Sequence, residues 1–318
     1  MNRLLLILPV LLWPFLAASQ QLPLFTQYRS NQSLINPASI NSDFFTFEQN
    51  ISFGGSYRSQ WTGLDAAPET QTLWGEYYQA NRSGVSLLSG GYLINDRTGP
   101  TGFTGLYGRI GGVLSENSKY NGVAFALNLG LVQFRVDGTA LRLREDNDVV
   151  ANEAATQLFP DVGLGIFAYT ALDGGFFDDD YVFGGISVPQ VFGLDLEFEN
   201  PNGTFRTRRV QHVYANAGIY HFLNDESFLE ATTWIKYAPN APINADVNLR
   251  YQMQQNFWAG FGVSTAANMH VEAGFILGDN VGLGNTLKIG YGFDYSISNF
   301  GPYVGSTHEL NISFAMER

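Results

Sequence analysis

The sequence predicts an all-β fold: a transmembrane outer-membrane β-barrel of about 14 antiparallel strands, with an N-terminal non-barrel segment ahead of it. Three observations carry this. The first is a two-residue alternation that returns along the chain. Its cleanest example sets Ile243, Ala245, Val247, Leu249 and Tyr251 against Asn244, Asp246, Asn248, Arg250 and Gln252. The oily face is expected to meet lipid or an aromatic belt, and the polar face the lumen. The second is an export leader at the start of the chain. The third is that no apolar run after that leader is long enough for a spanning helix, which leaves a closed barrel as the way across a bilayer.

Residues 1–19 read as a Sec signal peptide: Arg3, an apolar run from Leu4 to Leu16, then the small residues Ala17-Ala18-Ser19. Cleavage after Ser19 leaves Gln20 first, and with no Cys following it lipid attachment is excluded. Removing this segment takes away Arg3 alone, so 17 basic residues become 16 against 29 acidic ones, a net charge of −13. That balance disfavours nucleic acid, whose phosphates demand a basic footprint. A chain without cysteine has neither disulfide staples nor thiolate chemistry. Charged residues are only 14% of the chain while Tyr, Phe and Gly abound, which suits a sheet facing lipid.

Residues 20–42 lack a strand period and are expected to form a periplasmic or plug segment, followed by the barrel over 43–318. The first strand is expected over 44–58, where Phe45, Phe47, Ile51, Phe53 and Tyr57 alternate with polar residues. The next four fall at 69–79, 84–94, 103–111 and 121–135, the last carrying Val123, Phe125, Leu127, Leu129 and Leu131 on one face. Further runs at 161–170, 181–189, 210–222, 227–238, 242–252, 255–264 and 267–277 are bounded by Gly, Pro, Asn and Asp. Two close the chain, at 286–296 and 308–315. Short connections are expected at 224–226, 238–241 and 279–285, and longer polar loops at 142–159, 173–180 and 195–209; the sidedness of several stays open.

The stretch Phe25-Thr26-Gln27-Tyr28, followed by Asn31 and Ile35-Asn36-Pro37-Ala38, resembles the N-terminal signature of the PorP/SprF family of type IX secretion outer-membrane proteins of Bacteroidota. Later blocks resemble it in the same order: Tyr57-Arg58-Ser59-Gln60-Trp61-Thr62-Gly63, then Asn95-Asp96-Arg97-Thr98-Gly99-Pro100 and Gly184-Gly185-Ile186-Ser187-Val188-Pro189-Gln190. Gly290-Tyr291-Gly292-Phe293-Asp294-Tyr295 and Ser306-Thr307-His308-Glu309 complete the series. Thr307 interrupts the family's Gly-Ser-His-Glu run, and the chain ends on Glu317-Arg318 instead of an aromatic. The resemblance implies an outer-membrane barrel without catalytic role. It also implies partners: periplasmic ring or peptidoglycan-linked subunits of the secretion system, or a large secreted surface adhesin used in gliding.

Candidate partner-docking or motif residues are therefore Phe25, Gln27, Tyr28, Asn36, Pro37, Arg58, Gln60, Trp61, Asn95, Asp96, Gly99, Pro100, Asp294, His308 and Glu309. Around the first strand's end, Arg58 is expected to pair with a carboxylate and Trp61 to sit at the membrane interface, with an ordinary aromatic-belt Trp as the plainer reading. Asn95 to Pro100 has turn chemistry. The acids Asp173, Asp178, Asp179 and Asp180 lack the spacing and Gly of a calcium loop, and read as a solvated loop. The histidines His212, His221, His270 and His308 are scattered, so neither metal nor other cofactor is expected. Ser306 and His308 lie two apart, but no oxyanion element accompanies them. His308-Glu309 is expected to order a hydrogen-bond network in the lumen. The function expected is non-enzymatic: docking of periplasmic machinery and help in secreting or anchoring an adhesin. The alternative is a passive porin or nutrient channel, which the polar inner face would permit.

Overall fold

A computed structural model describes residues 24–81, 84–138, 154–177, 179–193, 195–200, 203–224, 226–253, 256–299 and 301–318. The signal peptide expected at 1–19, most of the loop expected at 142–159, and Asp178 and Asp225 lie outside the described residues.

Fourteen strands close into one antiparallel barrel. They are β1 (Ile51–Ser59), β2 (Glu69–Gln79), β3 (Gly84–Thr98), β4 (Thr101–Ser115), β5 (Asn121–Asp137), β6 (Ala154–Ala171), β7 (Tyr181–Val188), and, after an excursion, β10 (Val213–Asn224). The rest are β11 (Ser227–Tyr237), β12 (Asn244–Met253), β13 (Phe257–Ser264), β14 (Asn268–Leu277), β15 (Thr286–Ser296) and β16 (Thr307–Met316). Each pairs with its sequence neighbour, and β1 closes the circle on β16 with Ile51 opposite Met316 and Ser59 opposite His308. Closure leaves no strand edge to lipid, as a bilayer requires.

The period decides which side chains go where. On β12 Val247 is 56% exposed while its neighbour Asn248 is 8% exposed, and Asp246, Arg250 and Gln252 are buried beside Asn248. Leu73, Leu106, Leu129, Ile186, Phe261 and Phe275 are among the outward apolar residues on the other strands. The expected assignment of the 242–252 faces to lipid and lumen therefore holds.

Connections at the end of the barrel that carries Ile51 and Met316 are those at 80–83, 116–120, 172–180, 225–226, 254–256 and 278–285. The opposite end, called the far end below, carries those at 60–68, 99–100, 138–153, 189–212, 238–243, 265–267 and 297–306. The expected long loop at 173–180 thus lies with the short connections, and the short turn at 238–241 lies with the long ones. Within 195–209, expected as a loop, a separate hairpin forms from β8 (Asp195–Asn200) and β9 (Gly203–Arg208), with Phe198 opposite Phe205 in its register.

The largest departure is at the start. Phe44, Phe45 and Phe47, expected in the first strand, belong to the helix α2 (Ser42–Phe47), which follows a shorter one, α1 (Gln32–Ile35). Asn41 caps α2 by accepting the Asp43 N–H at 3.0 Å, and Glu48 ends it in the left-handed region. Phe45 then packs against Tyr169, Tyr181 and Tyr220 from three strands. A strand-like period over Phe45 and Phe47 lost to a capped turn of helix held by tertiary aromatic contacts. Residues 24–50 consequently precede the barrel wall, and they fill its interior.

Candidate functional site

The interior segment divides its apolar residues between two clusters. Phe25, Tyr28, Leu34 and Ile35 pack with Trp74, Tyr92, Tyr107, Tyr214 and Trp234; Ala38, Ile40 and Phe45 pack with Tyr78, Phe167, Phe183, Tyr220 and Phe228. The tyrosines and tryptophans on inward positions offer a large apolar body and a polar tip, which suits a wall that must hold a polar backbone.

Polar contacts fix the segment to strands all round the barrel. On β16 Glu309, fully buried, accepts the Thr26 N–H at 2.7 Å and the Gln27 N–H at 3.0 Å. Arg58 of β1 reaches Glu309 at 3.2 Å and Asp294 of β15 at 2.7 Å, and it also donates to the Thr26 hydroxyl, which donates to Asp294 at 2.8 Å. The carboxylates thus receive backbone and side-chain donors together, the arrangement in which a buried charge is tolerated.

Next along the segment, Tyr28 donates to Thr232 and lies 5.4 Å from the Trp234 ring, while Arg29 pairs with Glu230. Asn36 then crosses to the other side, donating to the Ile166 carbonyl at 3.0 Å and accepting the Ala38 N–H at 2.9 Å. Gly165 and Gly185 form the wall there, and a Cβ on either would overlap the Asn36 amide. Arg109 donates to the carbonyls of Pro37 and Ser39 and pairs with Glu76 at 2.9 Å; Ser187 donates to the Ile35 carbonyl at 2.6 Å. Finally Asp43 pairs with Lys288. Interior cavities lined by this segment measure about 40 and 20 Å³.

Of the expected residues, Phe25, Gln27, Tyr28, Asn36, Pro37, Arg58, Asp294 and Glu309 meet at this interface. The others do not. Gln60 and Trp61 sit in the far-end connection, where Gln60 donates its N–H to Pro68 and Trp61, 38% exposed, donates its N–H to Thr307 at 3.3 Å. Asn95, Asp96, Gly99 and Pro100 build the β3–β4 turn: Asp96 accepts from Thr70 at 2.7 Å, Asn95 from Thr104 at 2.9 Å, and Gly99 takes φ +57°. His308 points opposite to Glu309, because adjacent strand residues face opposite sides. It meets Tyr291 at 2.5 Å and Ser306 at 2.9 Å on the outer wall, so only Glu309 serves the lumen network.

The acidic cluster disperses: Asp180 is buried and accepts the Phe222 N–H at 2.8 Å, while Asp173 and Asp179 are exposed. Among the described residues no three His, Asp or Glu side chains converge as metal ligands. Sequence reasoning missed Arg29, Arg109, Asp161, Glu230 and Lys288. A signal was present: each is a charge standing on, or pairing with, the inward position of an alternating strand. Tyr107 and Arg209 show the same logic, converging on buried Asp161 at 2.6 and 2.9 Å.

Three solved barrels are similar in fold. The Ralstonia pickettii toluene transporter TbuX superposes with a TM-score of 0.53 at 11% identity, covering 89% of this chain and 92% of its own. The CymD monoaromatic hydrocarbon channel gives 0.51 at 10%, covering 91% and 97%, and a Pseudomonas aeruginosa FadL homologue gives 0.51 at 9%, covering 90% and 93%. Such identities speak for architecture alone. No curated protein matches the chain. The family profile described as type IX secretion system membrane protein PorP/SprF matches residues 17–314, which takes in both the interior segment and almost the whole wall. With a 14-stranded closed barrel, lipid-facing apolar positions and that match, the chain is an outer-membrane protein belonging to the PorP/SprF family.

Proposed function

We propose that this protein works as a closed scaffold in the outer membrane, docking type IX secretion machinery on its periplasmic rim and engaging a secreted surface adhesin with its outer loops. The observation that carries the reading is the filled lumen: residues 24–50 are tied by ion pairs and hydrogen bonds to β1, β4, β6, β7, β11, β15 and β16. A scaffold needs rims and rigidity rather than a pore. Outer-membrane barrels carry their longer loops outside, which sets the far end, with 138–153 and 189–212, toward the exterior and the Met316 end toward the periplasm.

Removing the gene is expected to lower export or surface retention of the adhesin. Normal export and retention in that strain would remove the proposal. A passive porin or nutrient channel is the contrasting reading; the barrels of similar fold include the toluene transporter TbuX and the monoaromatic hydrocarbon channel CymD, and single-channel recording separates the two.

A further inference from the structure

The smaller interior cavity, of about 20 Å³, lies between the interior segment and the wall and has room for one or two water-sized groups. Arg29 and Asp43 come to it from the segment; Trp74, Arg250, Trp258, Lys288 and Asn311 come from β2, β12, β13, β15 and β16. Each lining cation already has a carboxylate beside it: Lys288 pairs with Asp43, Arg29 with Glu230, and Arg250 lies 4.0 Å from Glu272.

The unpaired atoms decide what fits. Trp74 Nε1, Trp258 Nε1, Arg250 Nε and Asn311 Nδ2 are buried without a hydrogen-bond partner, and each belongs to a side chain at least nine-tenths buried. All four are donors; among the lining residues no buried side-chain acceptor is left over. A water has two lone pairs and two hydrogens of its own to place, so it matches such a shell poorly. A spherical anion has no hydrogens to place and accepts from several donors at once. Arg250 also lies 4.5 Å from the Trp258 ring centroid, so ring and guanidinium hold one another beside the cavity.

We propose that this cavity binds a monatomic inorganic anion, of the size and chemistry of chloride, at the junction of interior segment and wall. The bound ion accepts hydrogen bonds from two strands' indoles and from Arg250, joining β2, β12 and β13 beside the interior segment.

The test uses the full chain in detergent, with bromide as probe and gluconate making up constant ionic strength. Tryptophan emission is expected to show a saturable quenching component, and crystals grown in bromide an anomalous peak within hydrogen-bond reach of Trp258 Nε1. Trp258→Phe, which keeps the ring and removes one donor to a charged acceptor, is expected to weaken the saturable component about tenfold. Strictly linear quenching together with no anomalous peak in the cavity overturns the proposal, and the crystal measurement decides it even if the variant fails to fold.

Discussion

Arg58 and Asp294 meet at 2.7 Å although their strands, β1 and β15, are not neighbours: β16 runs between them, and Arg58 crosses over Glu309 to make the contact. One guanidinium therefore ties together the three strands at the barrel's closing seam and, through Thr26, the interior segment as well. Arg58→Met is expected to cost about 3–5 kcal/mol, because it leaves two carboxylates buried without their cation. Thermal unfolding in detergent checks this, read by the loss of heat-modifiable migration. A midpoint equal to the native protein's would show the seam to be held elsewhere.

Glu309→Gln keeps the shape and removes the charge. Two backbone N–H groups, those of Thr26 and Gln27, then share an acceptor weaker than a carboxylate. The expected loss is about 1–3 kcal/mol, the difference between charged and neutral hydrogen bonds at this site. Amide hydrogen exchange at residues 26 and 27 should rise while exchange across β12 to β14 stays unchanged. Uniform change over the barrel would speak against a local role.

Gly165→Ala puts a methyl where the Asn36 amide lies and is expected to destabilise by about 1–3 kcal/mol through overpacking. Asn36→Gly should remove the closest overlap, leaving the tight approaches to Pro37 Cδ at 3.0 Å and Ala38 N at 3.1 Å, so a double-mutant cycle isolates the share of the cost owed to the Asn36 amide. Gly108, where an added Cβ meets nothing nearer than 4.0 Å, serves as the control.

The native protein in planar bilayers is expected to give no steady open conductance. Deleting residues 24–47 should give one, once a heat-modifiable gel shift shows that the barrel has formed. Stable pores in the native protein would favour the channel reading.

Outward positions obey a different solvent. Phe261→Arg, on the lipid face of β13 and 55% exposed, is expected to cost about 2–4 kcal/mol in a bilayer, as charges on the lipid face near mid-depth do. The same substitution at Tyr303, 78% exposed in a far-end connection, should change stability little. Urea titrations of both variants in vesicles provide the comparison.

The wall was legible in the sequence because its period is enforced by lipid on one side only: Val247 and Asn248 could be assigned to opposite solvents from alternation alone. Arg58 and its need for a carboxylate were legible too, as were Asp294 and Glu309 as motif positions. That Arg58 faces the lumen, and that its partners lie one and two strands round the circle, depends on closure, which no local pattern encodes. Phe45 and Phe47 misled because a short capped helix and a strand can share the same apolar residues. Its identity was settled by Tyr169, Tyr181 and Tyr220, more than a hundred residues downstream. Asn36 and Pro37 carried a family signal, yet the reason for them stands in two glycines of β6 and β7 that look like ordinary strand glycines in the sequence.

The reach of the Thr26–Glu309 contact also sets an order of events. Its two ends are 283 residues apart, and the acceptor sits on β16, the strand whose pairing with β1 completes the circle. An N-terminal segment waiting beside a partly built sheet lacks its most buried carboxylate until the final strand arrives. Seating of the segment on Glu309 therefore waits for β16, so the lock across 283 residues fastens only after the chain's last strand has been made.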